Sequence, residues 1–207
     1  MSAAYQILKN AQVGAVILGA GFGRRFGSDK RVAALGNTTV AAQTVRHYCE
    51  VFARLKVVLK TEDTALAELL GQHAEIIFTD QSHLGMGHSL AAGFANLDWQ
   101  WAFVGLLDMP FLRPASLEKV ALTALNTQKK IIRPVFTPQQ TNQDATTLQG
   151  HPIGLHSSLF AQVRQSSGDK GARWLLQENQ SAITDVSIDD PGIIMDVDQP
   201  KDLLQQS

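Results

Sequence analysis

Short, uniformly apolar runs alternate with longer segments whose apolar residues recur every three to four positions, and few folds accommodate that pattern. The runs are Val13–Leu18 (VGAVIL), Leu55–Leu59 (LKVVL), Ala74–Phe78 (AEIIF) and Trp101–Leu107 (WAFVGLL). A strand with one wet face would alternate with period two, so runs of this kind read as strands buried on both sides. Thr39–Phe52 and Gly87–Leu97, which lie between runs, carry helical spacing and predict helices. The repeat of strand, helix and strand predicts an α/β fold: a doubly wound, mostly parallel, Rossmann-like sheet with helices on both faces. Four parallel strands are expected from this half.

The second half is less regular. Ile131–Phe136 and the alternating Ala182–Ile188 predict two more strands, Thr137–Gln149 is polar and turn-rich, and an irregular lobe is expected here. Pro200 suits the first turn of a short last helix, Lys201–Leu204. No linker and no internal repeat divides the 207 residues, which predicts one domain over 1–207.

Composition excludes several classes of function. Eighteen Lys and Arg against 19 Asp and Glu leave a formal net charge of −1, without the basic field that nucleic acid selects. No run approaches the roughly 20 apolar residues needed to span a bilayer. The single cysteine, Cys49, has no internal partner, and residues 1–12 lack the apolar core of a secretory signal, so a cytoplasmic address is expected.

The strongest local signal is Leu18–Lys30, LGAGFGRRFGSDK, with Gly19, Gly21, Gly23 and Gly27 directly after the first predicted strand. Glycines there let backbone N–H groups approach an anion closely. The P-loop spacing is absent, and the dinucleotide fingerprint would need a third glycine where this chain has Arg24 or Phe26. Arg25 and Lys30 add a planar fork and a point charge to the oriented dipoles, a set suited to a triphosphate. Asp108 follows the run Trp101–Leu107, at the strand end where open α/β sheets bind ligands. Mg²⁺ takes one or two carboxylates beside phosphate oxygens, and the pair Asp196 and Asp198 is the candidate source of the second.

The order L-x-A-G-x-G-x-R-x-G-x-x-K resembles the signature loop of nucleotidyltransferases of the nucleotide-diphospho-sugar transferase type. Within them the chain is similar to the molybdenum cofactor cytidylyltransferases (MobA/MocA-related). Leu107-Asp108-Met109-Pro110, Gly150-His151-Pro152, Gly168-Asp169-Lys170-Gly171-Ala172-Arg173 and Asp196-Val197-Asp198-Gln199-Pro200 follow in that branch's order. The resemblance implies Mg²⁺-dependent transfer of CMP from CTP to the phosphate of molybdopterin, with a molybdoenzyme as the partner that receives the product. Arg25, Lys30 and Asp108 are then catalytic, and Asp108 and Asp198 hold the metal. Leu18, Gly19, Ala20, Gly21, Gly23, Arg25, Lys30, Asp80, Gly85 and Ser89 bind the nucleotide, with Ser89 entering a helix. His151, Asp169, Lys170 and Arg173 surround the acceptor. The nucleotide-binding half is about 13–110 and the acceptor-binding half about 111–207. Ala20, where guanylyl relatives carry Gly, favours CTP.

Three departures from the family pattern stand out. Leu107 replaces the Gly expected before the metal-binding Asp, Asp80 stands where Asn is commoner, and Gly19 where Ala is. Leu107 would narrow the nucleotide's approach, which supports a rival reading as a non-catalytic nucleotide- or pterin-binding chaperone. The same fold also leaves open guanylyl transfer to the pterin and cytidylyl transfer to a sugar or polyol phosphate.

Overall fold

The computed structural model describes residues 2–21, 26–138, 146–169 and 171–204. The strands are β1 (Val13–Leu18), β2 (Ala34–Leu35), β3 (Thr38–Thr39), β4 (Leu55–Lys60), β5 (Glu75–Thr79), β6 (Trp101–Leu106), β7 (Ile131–Phe136), β8 (Leu148–Gln149), β9 (Ile153–His156) and β10 (Ile183–Ser187). The helices are α1 (Ala3–Asn10), α2 (Val40–Cys49), α3 (Thr64–Leu70), α4 (Met86–Gly93), α5 (Pro114–Leu125), α6 (Phe160–Val163) and α7 (Arg173–Glu178). One sheet runs in the order β10-β7-β9-β6-β1-β4-β5, with β8 paired to β7, while β2 and β3 form a separate small ladder. The four strands expected from the first half are parallel. β10 is parallel to β7, and β9 runs antiparallel between β6 and β7.

The second half therefore extends the same sheet, which corrects the expected irregular lobe. Gly150 and Gly154 let chain pass close to Ile193 and Phe103, so β9 carries too few bulky residues to announce itself as a strand.

β1 shows why the apolar runs need two covers. Ala15 and Ile17 enter one core with Leu8, Val45, Tyr48, Leu70, Leu117 and Val120, contributed by α1, α2, α3 and α5. Val16 and Leu18 enter the other with Leu90, Phe160, Val163 and Leu175, from α4, α6 and α7. Each fully buried Leu, Ile or Val contributes on the order of 1.5–3 kcal/mol, so this double layer is the main fixture of the sheet. Local signals set the ends of the helices. Ser2 and Thr39 side chains accept from Tyr5 and Ala42 N–H groups, and Pro114 opens α5. Among the described residues, no helix is long and apolar enough to cross a membrane.

Candidate active site

Register decides where the chemistry gathers. Leu18 of β1 lies opposite Val58 of β4 and Leu106 of β6, so β1 and β6 end together while β4 runs two residues further, to Lys60. The Gly19 N–H donates to the Val58 carbonyl at 2.8 Å and the Leu107 N–H to the Leu18 carbonyl at 3.0 Å, which carries the ladder one residue past the strands. The glycine loop, Lys60 and Asp108 consequently open into one cleft of about 660 Å³ at the carboxyl edge of the sheet.

The C-terminal acids reach this edge by backbone bonds. The Val197 N–H donates to the Asp108 carbonyl at 2.9 Å, fixing Asp196 and Asp198 beside Asp108. Upstream, the buried Asp190 carboxylate accepts from the Arg113 N–H (3.0 Å), the Ser116 hydroxyl (2.7 Å) and the Gly192 N–H (2.9 Å). It thereby caps the start of α5 and anchors the returning segment. Asp202 accepts from the Asp198 and Gln199 N–H groups and closes the turn beyond.

Lys30 begins a 3₁₀ turn capped by Asp29. Its ammonium lies 2.6 Å from Asp108 Oδ2 and 2.8 Å from Asp198 Oδ1. Burial works against its charge, but the bonds and attraction from the two carboxylates prevail and hold its pKa above the ordinary value. Asp196 moves the other way, raised by desolvation and by repulsion from Asp108 and Asp198. One carboxylate oxygen from each of Asp108, Asp196 and Asp198 lies within 4.8 Å of the others. The buried Asp108 Oδ1 has no hydrogen-bond partner among the described residues. An all-oxygen donor set with a free buried acceptor fits a hard divalent cation.

Leu107 is placed differently from the expectation. It is 1% exposed and packed in the core. A Cβ on Gly19 would come within 2.4 Å of Leu107 Cδ2. Two of the three departures thus compensate each other: the side chain missing at position 19 makes room for the one added at 107. Leu107 contributes to the floor of the cleft but packs against Gly19 instead of standing free in it, and the support it lent to a non-catalytic reading falls away.

Leu18, Gly19, Ala20, Gly21, Lys30, Gly85, Ser89, Asp108, Asp169 and Asp198 all line the cleft. The helix starts earlier than expected: Gly85, at φ 114°, precedes α4, and Ser89 is buried one turn inside it. That φ is open to glycine and strained for other residues. Gly85 and Gly87 also allow backbone contact with Ser167 and Gly168. Added Cβ atoms would come within 2.3 Å of Gly168 C and 2.6 Å of Ser167 C, and the Gly87 N–H donates to the Gly168 carbonyl at 2.8 Å.

Asp80 is exposed, and neither it nor His151 or Arg173 is among the residues lining the cleft. Burial lowers the pKa of His151, whose Nδ1 faces the Val104 carbonyl at 3.4 Å, and Arg173 begins α7. Gly23, Arg25 and Lys170 lie outside the described residues. Sequence reasoning missed Arg31 and Lys60, both in the cleft wall. Lys60 had a legible signal, a charge at the end of a buried strand. Arg31 had only its place beside Lys30.

Residues 15–183 match the MobA-like NTP transferase domain. No curated protein matches by sequence. Among solved structures, the chain is similar to Rv0371c from Mycobacterium tuberculosis H37Rv at 21% identity and TM-score 0.77, over 94% of this chain and 96% of that one. A manganese complex of Rv0371c gives TM-score 0.72 at 21% identity, over 95% and 100%. The 4-diphosphocytidyl-2C-methyl-D-erythritol synthase of Anaerococcus prevotii DSM 20548 gives 0.70 at 14% identity, over 93% and 94%. The glycine loop, the strand-end acid and the sheet that joins them accordingly make this chain a member of the MobA-like NTP transferase family, a nucleotidyltransferase.

Proposed function

We propose that this nucleotidyltransferase moves CMP from CTP to the phosphate of molybdopterin and releases pyrophosphate, in the cytoplasm and ahead of a molybdoenzyme that receives the product. The observation that carries the reading is Lys30 held between Asp108 and Asp198 at the mouth of the glycine loop. A phosphate oxygen of the acceptor attacks the α-phosphorus, the new P–O bond forms, and the bond to the β-phosphate oxygen breaks with its electron pair leaving on pyrophosphate. The acceptor is already anionic, so no general base is needed. The Gly19–Gly21 backbone, continued in sequence by Gly23, orients the phosphates, and Lys30 with Arg25 neutralises charge that develops on the leaving group. Asp108 and Asp198 would hold Mg²⁺, which supplies Lewis-acid neutralisation of phosphate oxygens when bound. The half about 13–110 takes the nucleotide. The half about 111–207 takes the acceptor, with His151, Asp169, Lys170 and Arg173 as its binding groups.

The divalent ion is supported by the manganese complex of Rv0371c, and the cytidyl group by the name of the Anaerococcus relative and by Ala20. The test is thermal stabilisation by each NTP with Mg²⁺, where a ligand at 100 times its Kd adds about 2.7 kcal/mol. Pyrophosphate release with molybdopterin or a polyol phosphate as acceptor is then measured. CTP preference and pterin-dependent release are expected. Stronger stabilisation by GTP rejects the cytidyl assignment, and release with the polyol phosphate alone rejects the pterin.

A further inference from the structure

Arg31 is buried, and its guanidinium uses all of its N–H groups on protein acceptors. Nε and Nη2 fork onto the Asp29 carboxylate at 2.8 and 2.7 Å. Nη2 and Nη1 form a second fork on the Asp63 carboxylate, with Nη2 2.6 Å from Oδ1. The remaining Nη1 hydrogen reaches the Gly19 carbonyl at 2.7 Å. Asp63 also accepts from the Lys60 N–H at 3.0 Å, so the turn after β4 is tied to the same fork.

We infer that Arg31 is a positioning residue for nucleotide binding, acting through the first peptide of the glycine loop. With no hydrogen left for a phosphate, it does not hold the substrate itself. A trans peptide sets its C=O and N–H in opposite directions. Holding the Gly19 carbonyl toward Arg31 therefore turns the Ala20 N–H away from it, in the loop stretch where backbone donors meet the nucleotide. The 3₁₀ turn that fixes Arg31 also fixes its neighbour Lys30, whose ammonium leaves the turn toward Asp108. Lysine could replace the charge of Arg31 but not two forks and a carbonyl bond at once.

This rests on the reading of the cleft as the nucleotide site, and the experiment separates the two. Binding of CTP with Mg²⁺ to wild type, Arg31→Lys and Asp63→Asn is measured by calorimetry, each protein held well below its own unfolding midpoint. No acceptor is needed. Arg31→Lys is expected to raise Kd about tenfold or more, the scale of one lost hydrogen bond to a charged group. Asp63→Asn, which keeps the Asp29 fork and the Gly19 bond, is expected to raise it less. Guanidinium ion added to Arg31→Ala should recover part of the affinity, a recovery that a purely structural role would not give. Unchanged Kd in folded Arg31→Lys, or in folded Asp63→Asn with no guanidinium effect on Arg31→Ala, overturns the inference. If wild type itself binds no NTP, the nucleotide-site reading fails first.

Discussion

Replacing Gly19 with Ala tests whether positions 19 and 107 form a matched pair. The new Cβ would lie 2.4 Å from Leu107 Cδ2 and 3.0 Å from Leu59 Cδ2, against an optimal carbon separation of about 3.5–4.0 Å. Leu107 and Leu59 are 1% and 0% exposed, so neither has free space to retreat into. Gly19 is not among the positive-φ glycines, which leaves packing as the source of the penalty. Overpacking of this kind costs about 1–3 kcal/mol, and for a chain near 200 residues each kcal/mol moves Tm by about 2–4 °C. Gly19→Ala should therefore lower Tm by roughly 2–12 °C. Leu107→Ala alone should cost about 2–5 kcal/mol through lost burial and a cavity. In the double variant the methyl introduced at position 19 enters the space vacated by Leu107 Cδ2, and the cost of the position 19 change should fall to what the remaining 3.0 Å approach to Leu59 imposes. The coupling is read from a double-mutant cycle in urea, with equal m-values as the check on two-state behaviour. If Gly19→Ala costs the same in both backgrounds, the two departures are independent and the argument for compensation is refuted.

Three other outcomes follow from the site and its surroundings. Lys30→Ala should lower turnover by about 10²–10³, the scale of removing one preorganised charge-stabilising donor; steady-state pyrophosphate release measures it, and unchanged turnover removes Lys30 from the chemistry. Asp108→Asn should abolish metal-dependent release while circular dichroism stays that of wild type, and full activity in titrated Mg²⁺ would exclude Asp108 as a ligand. His47 is held below its ordinary pKa mainly by burial; Arg46 adds to this, while the Leu112 carbonyl, Glu50 and Asp190 oppose it. The folded state thus binds fewer protons there than the unfolded one. Its stabilising contribution is intact above about pH 6.5 and is lost as pH falls through the folded pKa. His47→Gln should flatten that part of the stability profile, and an identical slope in urea titrations across the range would exclude His47 as its source.

The parallel core was legible because burial on both faces leaves little room for polar residues, so β1 and β6 appear as unbroken apolar runs and β4 as one interrupted only by Lys56; β5, at the sheet edge, is half-exposed and was legible by its Ile76–Phe78 stretch alone. β9 escaped because it is built where chain segments approach closely: a Cβ on Gly154 would come within 2.5 Å of the Phe103 ring, and the strand needs small residues for that reason. α3 and α5 were missed for a different cause. Their buried faces, Leu66 and Leu70, and Leu117, Val120 and Ala121, have helical spacing but sit between polar residues, and neither N-cap residue, Asp63 or Arg113, caps its helix with its own side chain.

The same division explains the site. Residues that face a ligand are legible by type, since a polyphosphate and a hard cation restrict the choice to glycine, cation and carboxylate. Residues that aim those groups are chosen by what they meet elsewhere in the chain. Arg31 reads as one more surface cation until Asp63 is folded against it, and Asp190 reads as a turn residue until its carboxylate is seen capping α5. Leu107 reads as an obstacle to the nucleotide until Gly19 is found to have made space for it. A departure from a family motif is therefore weak evidence against activity when a second departure lies on the neighbouring strand end. Here the register of β1 with β6 puts Gly19 and Leu107 side by side, and the Leu107 side chain fills the space that a Cβ on residue 19 would need.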